Sequence, residues 1–182
     1  MGVTVTNLLQ GPATLYHAPF GSPEPATANT AFSTAWTDLG GTSDGAKSTV
    51  ELEYTKKMVD QIVDAAGATL TSRNAKIGTT LAEATLENWA RSLNELTTSS
   101  ITDGKFTPSN GVPGEPNYSA VALKGLGPSG KPRIVIVRRG VQVANVESEH
   151  KKDGMQLLPV EWQAYFVSDS IAPFVVIDKQ TP

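Results

Sequence analysis

One change of period, between Ala75 and Asn94, limits the architectures open to this chain. Ala75, Ile77, Thr79 and Leu81 alternate with Lys76, Gly78, Thr80 and Ala82, a two-residue period that suits a strand with one buried face. Leu86, Trp89, Ala90 and Leu93 then recur at i, i+3, i+4 and i+7, which lays them along one stripe of a helix. Thr85 can cap that helix; alternatively Thr80 through Glu83 reads as a capping box that starts it a turn earlier. Asn94 is a natural stop. The expectation is one short helix across a sheet, held in the core by Leu86, Trp89 and Leu93.

Strand signals dominate elsewhere. Gly, Pro, Ser and Thr are abundant and β-branched residues fall in short runs, the profile of a mainly β chain. The 182 residues suffice for one domain with its own core. Ala13 to Tyr16 reads as a short strand, and the proline-containing stretch 17–35 as a surface loop or extended arm, because proline cannot join the interior of a sheet. Asp44-Gly45 reads as a turn before a strand in which Val50, Leu52 and Tyr54 alternate with Glu51 and Glu53. The stretch 56–68 is ambiguous. Met58, Val59, Ile62, Val63 and Ala66 have helical spacing, while β-branched residues and Gly67 favour a hairpin arm.

The stretch 97–116, rich in Ser, Thr, Gly, Pro and Asn, reads as a long exposed loop. Tyr118 to Leu123 alternates as a strand. Ile134 to Val137 is apolar on both faces, as in a buried strand, and Arg138-Arg139-Gly140 should end it. Val141 to Glu149 is expected to form another strand with Val143, Asn145, Glu147 and Glu149 on one face. Val160, Trp162, Ala164 and Phe166 alternate with Glu161, Gln163 and Tyr165, and Phe174 to Ile177 closes the chain.

Chemistry-bearing patterns are scarce. Net charge is −3, which argues against a chain that grips nucleic acid by neutralising phosphates. Without cysteine there are no disulfides or thiolate sites. His17 and His150 stand alone, with no metal-ligand spacing. Gly125 to Gly130 matches G-x-G-x-x-G, but a strand rather than a helix follows, so it reads as a hairpin turn. Lys131, Arg133, Arg138 and Arg139 form a basic cluster of the kind that keeps strand edges soluble. Asn117-Tyr118-Ser119 matches a glycosylation sequon by pattern alone. The first ten residues lack a basic start and a long apolar run, so no secretory leader is expected, nor is any membrane insertion. No catalytic residue, metal or cofactor is expected; the chain does not read as an enzyme.

Trp36 to Gly40, the acidic-faced strand from Val50 to Tyr54, Val59-Asp60-Gln61, Leu81 to Asn88 and the terminal strands from Pro159 to Ile177 together resemble the major tail tube proteins of long-tailed bacteriophages of the siphovirus type. That resemblance implies a β-sandwich or half-barrel with one flanking α-helix, whose strands join into a ring barrel on assembly. It implies hexameric rings stacked into a hollow tail tube through which DNA passes without specific binding. The partners implied are further copies of the chain, a tape measure protein and a tail terminator protein; the location implied is the virion tail, with synthesis in the host cytoplasm. Lys56, Lys57, Met58, Asp60 and Gln61 become candidates for an arm reaching the next ring. Glu51 and Glu53, with Glu147 and Glu149 as second choice, become candidates for an acidic lumen wall. Two alternatives remain: the tube subunit of a tailocin or secretion-type injection system, and a β-sandwich binding or virion decoration module.

Overall fold

The computed structural model describes residues 11–95, 100–109 and 114–178; the first ten residues and positions 97–99 and 110–113 of the expected long loop lie outside them. Strand-forming runs pair into β1 (Thr14–Pro19), β2 (Thr37–Asp38), β3 (Thr42–Lys57), β4 (Gly67–Leu81), β5 (Ile101–Thr102), β6 (Lys105–Phe106), β7 (Ser119–Leu126), β8 (Pro132–Gln142), β9 (Leu158–Ala164) and β10 (Phe174–Asp178), with α1 at Leu86–Ser92. All pairings are antiparallel. The main sheet runs β2-β1-β7-β8-β9-β4-β3, and β5 and β6 form a small separate hairpin. Among the described residues the fold is mainly β with the one flanking helix α1, and the sheet does not close into a barrel.

β8 is the spine. Its first half pairs with β10, from Arg133 opposite Asp178 to Val137 opposite Phe174, and its second half with β9, from Gly140 opposite Ala164. Arg138-Arg139-Gly140 therefore does not end the strand; it is where β8 changes partner. Each arginine is accommodated by a partner outside the ladder. Arg138 grips Glu24 through two hydrogen bonds, and Arg139 donates to the Phe166 carbonyl at 3.0 Å with its guanidinium 3.8 Å from the Tyr118 ring. A Cβ on Gly140 would sit 3.1 Å from Val137 Cγ1 and 3.3 Å from the Ser119 carbonyl, so this crossing has no room for a side chain.

Alternation on the central strands gives two apolar layers. Leu15, Val121, Val137, Trp162, Ile77 and Leu81 face one, together with Leu39, Leu158 and Val160. Ala18, Ala120, Ala122, Ile134 and Ile136 face the other, covered by Ala28 and Trp36. The stretch 17–35 is thus not an arm. Its first residues complete β1 and the rest lies over the sheet, with Phe32 stacked on Tyr16 at 4.2 Å and tilted against Trp36 at 5.1 Å and the Trp36 indole N–H on the Pro23 carbonyl. Prolines keep this segment out of the ladder while its apolar side chains bury Ile134 and Ile136 from the far side.

Several other expectations need correction. Asp44-Gly45 is not a terminal turn but a bulge inside β3, with φ of +62° and +75°; both residue types tolerate this left-handed backbone. Helix α1 starts at the Thr85 cap, whose hydroxyl accepts from the Asn88 N–H, and the capping box at Thr80 does not form. Glu83 instead reaches back to the Gly41 N–H at 2.8 Å. Leu86 and Leu93 are exposed, so of the three expected core anchors only Trp89 packs against the core. Asn88 and Ser92 take the buried places. Asn88 donates to the carbonyls of Leu39 and Glu83 at 3.0 and 2.8 Å, tying the helix to the body with amide hydrogen bonds in place of leucines.

The strand expected over Val141 to Glu149 stops at Gln142. There the Asn94 side chain, set at the helix end with φ +58°, accepts from the Gln142 N–H at 2.8 Å and donates to its carbonyl at 2.9 Å. One amide thus substitutes for a neighbouring strand and closes this edge of β8. Residues 143–150 continue irregularly, and β9 ends at Ala164, leaving Phe166 exposed.

Candidate self-association surface

β3 and β4 outrun the sheet that carries them. β9 covers β4 only between Lys76 and Leu81, whereas the β3–β4 ladder continues from Val50 opposite Ala75 out to Lys57 opposite Gly67. About 25 Å of two-stranded ribbon, at ~3.3 Å per residue, therefore stands off the body. The helical spacing in 56–68 is overruled: Lys56 and Lys57 finish β3, Met58, Asp60 and Gln61 lie in the tip, and all five are exposed. Fourteen register pairs favour the ladder over a helix with only one short stretch of suitable spacing and a terminal glycine.

The two faces of this ribbon differ. Register puts Val50, Leu52 and Tyr54 opposite Ala75, Arg73 and Leu70, continuing the face that carries buried Ala75 and Ile77 in the body. Past the body this core-type face is largely uncovered, with Arg73 at its base lying over the Phe174 ring at 5.6 Å. Val50, Leu52, Tyr54 and Leu70 are exposed, and at the tip Met58, Ile62 and Val63 join them, Val63 at 97 %. A free-standing hairpin is marginal in water, and a contiguous exposed apolar strip on such a ribbon marks an interaction surface. β3 ends the sheet, and no strand among the described residues pairs with its outer edge.

The opposite face carries Glu51 and Glu53 in register with Asn74 and Ser72. It is mixed rather than purely acidic. Lys76 lies between Glu51 at 3.7 Å and Glu161 at 3.4 Å, and Lys47 and Lys57 share the face by strand parity. Glu53 has no ion-pair partner among the described residues. Glu147 and Glu149 lie elsewhere, exposed in the irregular segment after β8, with Glu149 paired to Lys151 at 2.7 Å; the strand expected to align them with a lumen face is absent.

The basic cluster is paired: Arg133 grips Asp178 through two hydrogen bonds at 2.6 and 2.7 Å, which holds the Asp178 carboxyl below its usual range. The G-x-G-x-x-G match forms the tight turn at Pro128–Gly130 joining β7 to β8. His17 packs against Trp162 with ring centroids 6.1 Å apart, and burial together with the Arg91 charge pushes its pKa down to about 3. Sequence patterning marked Asn94 only as a helix stop and missed the hydrogen bonds of the Asn88 and Asn94 amides, because their partners lie outside the helix and leave no mark in a hydrophobic period. Among the described residues no helix is long and apolar enough to cross a membrane. No protein-family model matches this chain, and no curated protein matches it.

Proposed function

We propose that this chain is a self-assembling tube subunit of the phage tail-tube type, whose copies share sheet margins around a hollow axis. One observation carries the reading: a projecting β-ribbon with an unpaired edge and a largely uncovered apolar face, on a body whose other large apolar layers are covered. Long unpaired edges invite association, and a closed ring is the arrangement that removes them without open-ended aggregation. The acids on the other ribbon face support a wall that does not hold phosphate. A tape measure protein within the bore, a terminator at its end and DNA in transit follow from the same reading. A tailocin or secretion-type tube would use the same surface.

A binding or decoration module is the second reading, favoured by the exposed aromatics Phe20, Tyr165 and Phe166 around Arg139. The faces of that guanidinium are already taken by Tyr118 and Phe20 within the chain, which weakens the case.

Size-exclusion chromatography and negative-stain microscopy of the purified chain separate the two. Rings or tubes are expected, and Met58→Asp combined with Val63→Asp should abolish them while leaving the melting temperature unchanged, since neither side chain touches the core. A wild-type monomer at high concentration, or assembly indifferent to the double substitution, overturns the tube reading.

A further inference from the structure

Away from the ribbon, a cavity of about 200 Å³ opens between β1, the end of α1 and the segment leading into β7. That room suits several waters or one small organic group, and falls below the roughly 300 Å³ at which drug-sized pockets begin. Arg91 projects to it from the last turn of α1. Its guanidinium is half-buried and donates to the neutral Asn88 Oδ1 at 3.1 Å. The ion pairs of the described residues all use other cations, and the segments outside them contain no Asp or Glu. Glu95, the acid at the cavity rim, is turned to Ser109, whose N–H and hydroxyl both donate to it. Glu87, four residues back on α1, offsets part of the Arg91 desolvation through space but forms no ion pair with it. The half-buried guanidinium therefore still lacks a contacting anion on its cavity side, an expensive arrangement unless something else fills the role.

His17 lines the same cavity. Its ring nitrogens have no hydrogen-bond partner among the described residues, and the ring stays neutral through burial and the neighbouring Arg91 charge. A neutral imidazole still presents one N–H. Tyr118 and Pro19 supply apolar wall.

We propose that this cavity is a carboxylate-binding site, with the Arg91 fork facing both oxygens of the group and His17 supplying a further N–H. The guanidinium is planar and its paired N–H groups match a carboxylate. One cation and a half-apolar lining suit a monoanion with a short carbon tail better than a phosphate dianion. The carboxylate can come from a free small acid or from an Asp or Glu of another copy. The site stands independently of the tube reading.

The test follows the His17 ring signals by NMR at pH 7 while sodium acetate replaces sodium chloride at constant ionic strength. A saturable shift is expected at about 1–10 mM acetate, the affinity of a single ion pair in a small site, with the His17 titration moving upward by at least about one pH unit. Arg91→Gln, checked for folding by its amide spectrum, should abolish the saturation. Arg91→Lys, which keeps the charge and loses the fork, should weaken it about tenfold and serves if the glutamine variant does not fold. A dilution series without acetate separates the sources. A His17 shift that grows with protein concentration and is reversed by acetate assigns the carboxylate to another copy; independence of concentration assigns it to a free acid. No saturable acetate shift, an unchanged response in the Arg91 variants, or equal affinity for inorganic phosphate overturns the proposal.

Discussion

His17 shows how one side chain couples burial to solution conditions. The groups facing it are Arg91 and Glu95 from the end of α1, Tyr118 before β7 and Trp162 of β9. Burial and the Arg91 charge both disfavour the imidazolium, so the folded chain takes a proton only near pH 3 while the unfolded chain takes one near pH ~6.5. Between those values the unfolded state binds more protons, and stability falls as pH falls. Urea unfolding of the wild type from pH 7 to pH 4 should lose on the order of 3 kcal/mol through this group. His17→Gln, which cannot take the proton, should flatten that part of the profile. An equally steep profile in His17→Gln would assign the acid sensitivity to the carboxylates.

At the scale of elements, α1 shows which parts of the fold the sequence exposes to inspection. Its existence and its end near Asn94 follow from period and capping chemistry, which are local, whereas the choice between a Thr85 and a Thr80 start is made by the Glu83 contact to Gly41, 42 residues away. Its rotation is not local either. The stripe Leu86, Trp89, Ala90, Leu93 points to a leucine-anchored face, yet Asn88 hydrogen bonds to Leu39 and Glu83 turn the helix so that both leucines reach solvent. The partners lie outside the helix, and no helical period encodes them. The same holds for β8, whose end is set by the Asn94 amide, 48 residues away along the chain. For the ribbon, the two-residue period of β3 was readable and the helical spacing at its tip was misleading, since nothing in the spacing reveals that β9 stops short. In the candidate site, the exposed tip residues were legible as an arm, whereas the cavity beneath α1 left no sequence signal. The helix yields a direct measurement. Trp89→Ala should cost about 3 kcal/mol, less than a fully enclosed tryptophan could, while Leu86→Ala and Leu93→Ala should each cost under about 1 kcal/mol. Equal losses in chemical denaturation would restore the leucine-anchored face.

For the whole molecule, the decisive asymmetry is between the two ends of the sheet. β3 offers a 16-residue edge, while the far end offers the two residues of β2 and the flank offers the five of β10. No edge among the described residues matches β3 in length, so continuing the sheet into a neighbour would use part of it and leave the ribbon tip for another contact. On the tube reading, the ribbon face bearing Glu51 and Glu53 then turns to the bore, and its charge sets the drag on DNA. Glu51, Glu53 and Glu161 against Lys47, Lys57 and Lys76 leave no net charge per copy on that face by strand parity. Replacing Glu51 and Glu53 with lysine makes it four net positive, repeated along every ring. Tubes should still form, because neither side chain is buried. DNA delivery should slow, and the slowing should relax as salt rises, since each added phosphate contact carries its own salt dependence. Lys76→Gln removes a cation from the same face and should leave delivery as fast as wild type or faster. Particles whose tails contain the doubly substituted chain, yet deliver DNA at the wild-type rate in low salt, would move these carboxylates off the bore and place the ribbon face that bears them on the outside of the tube.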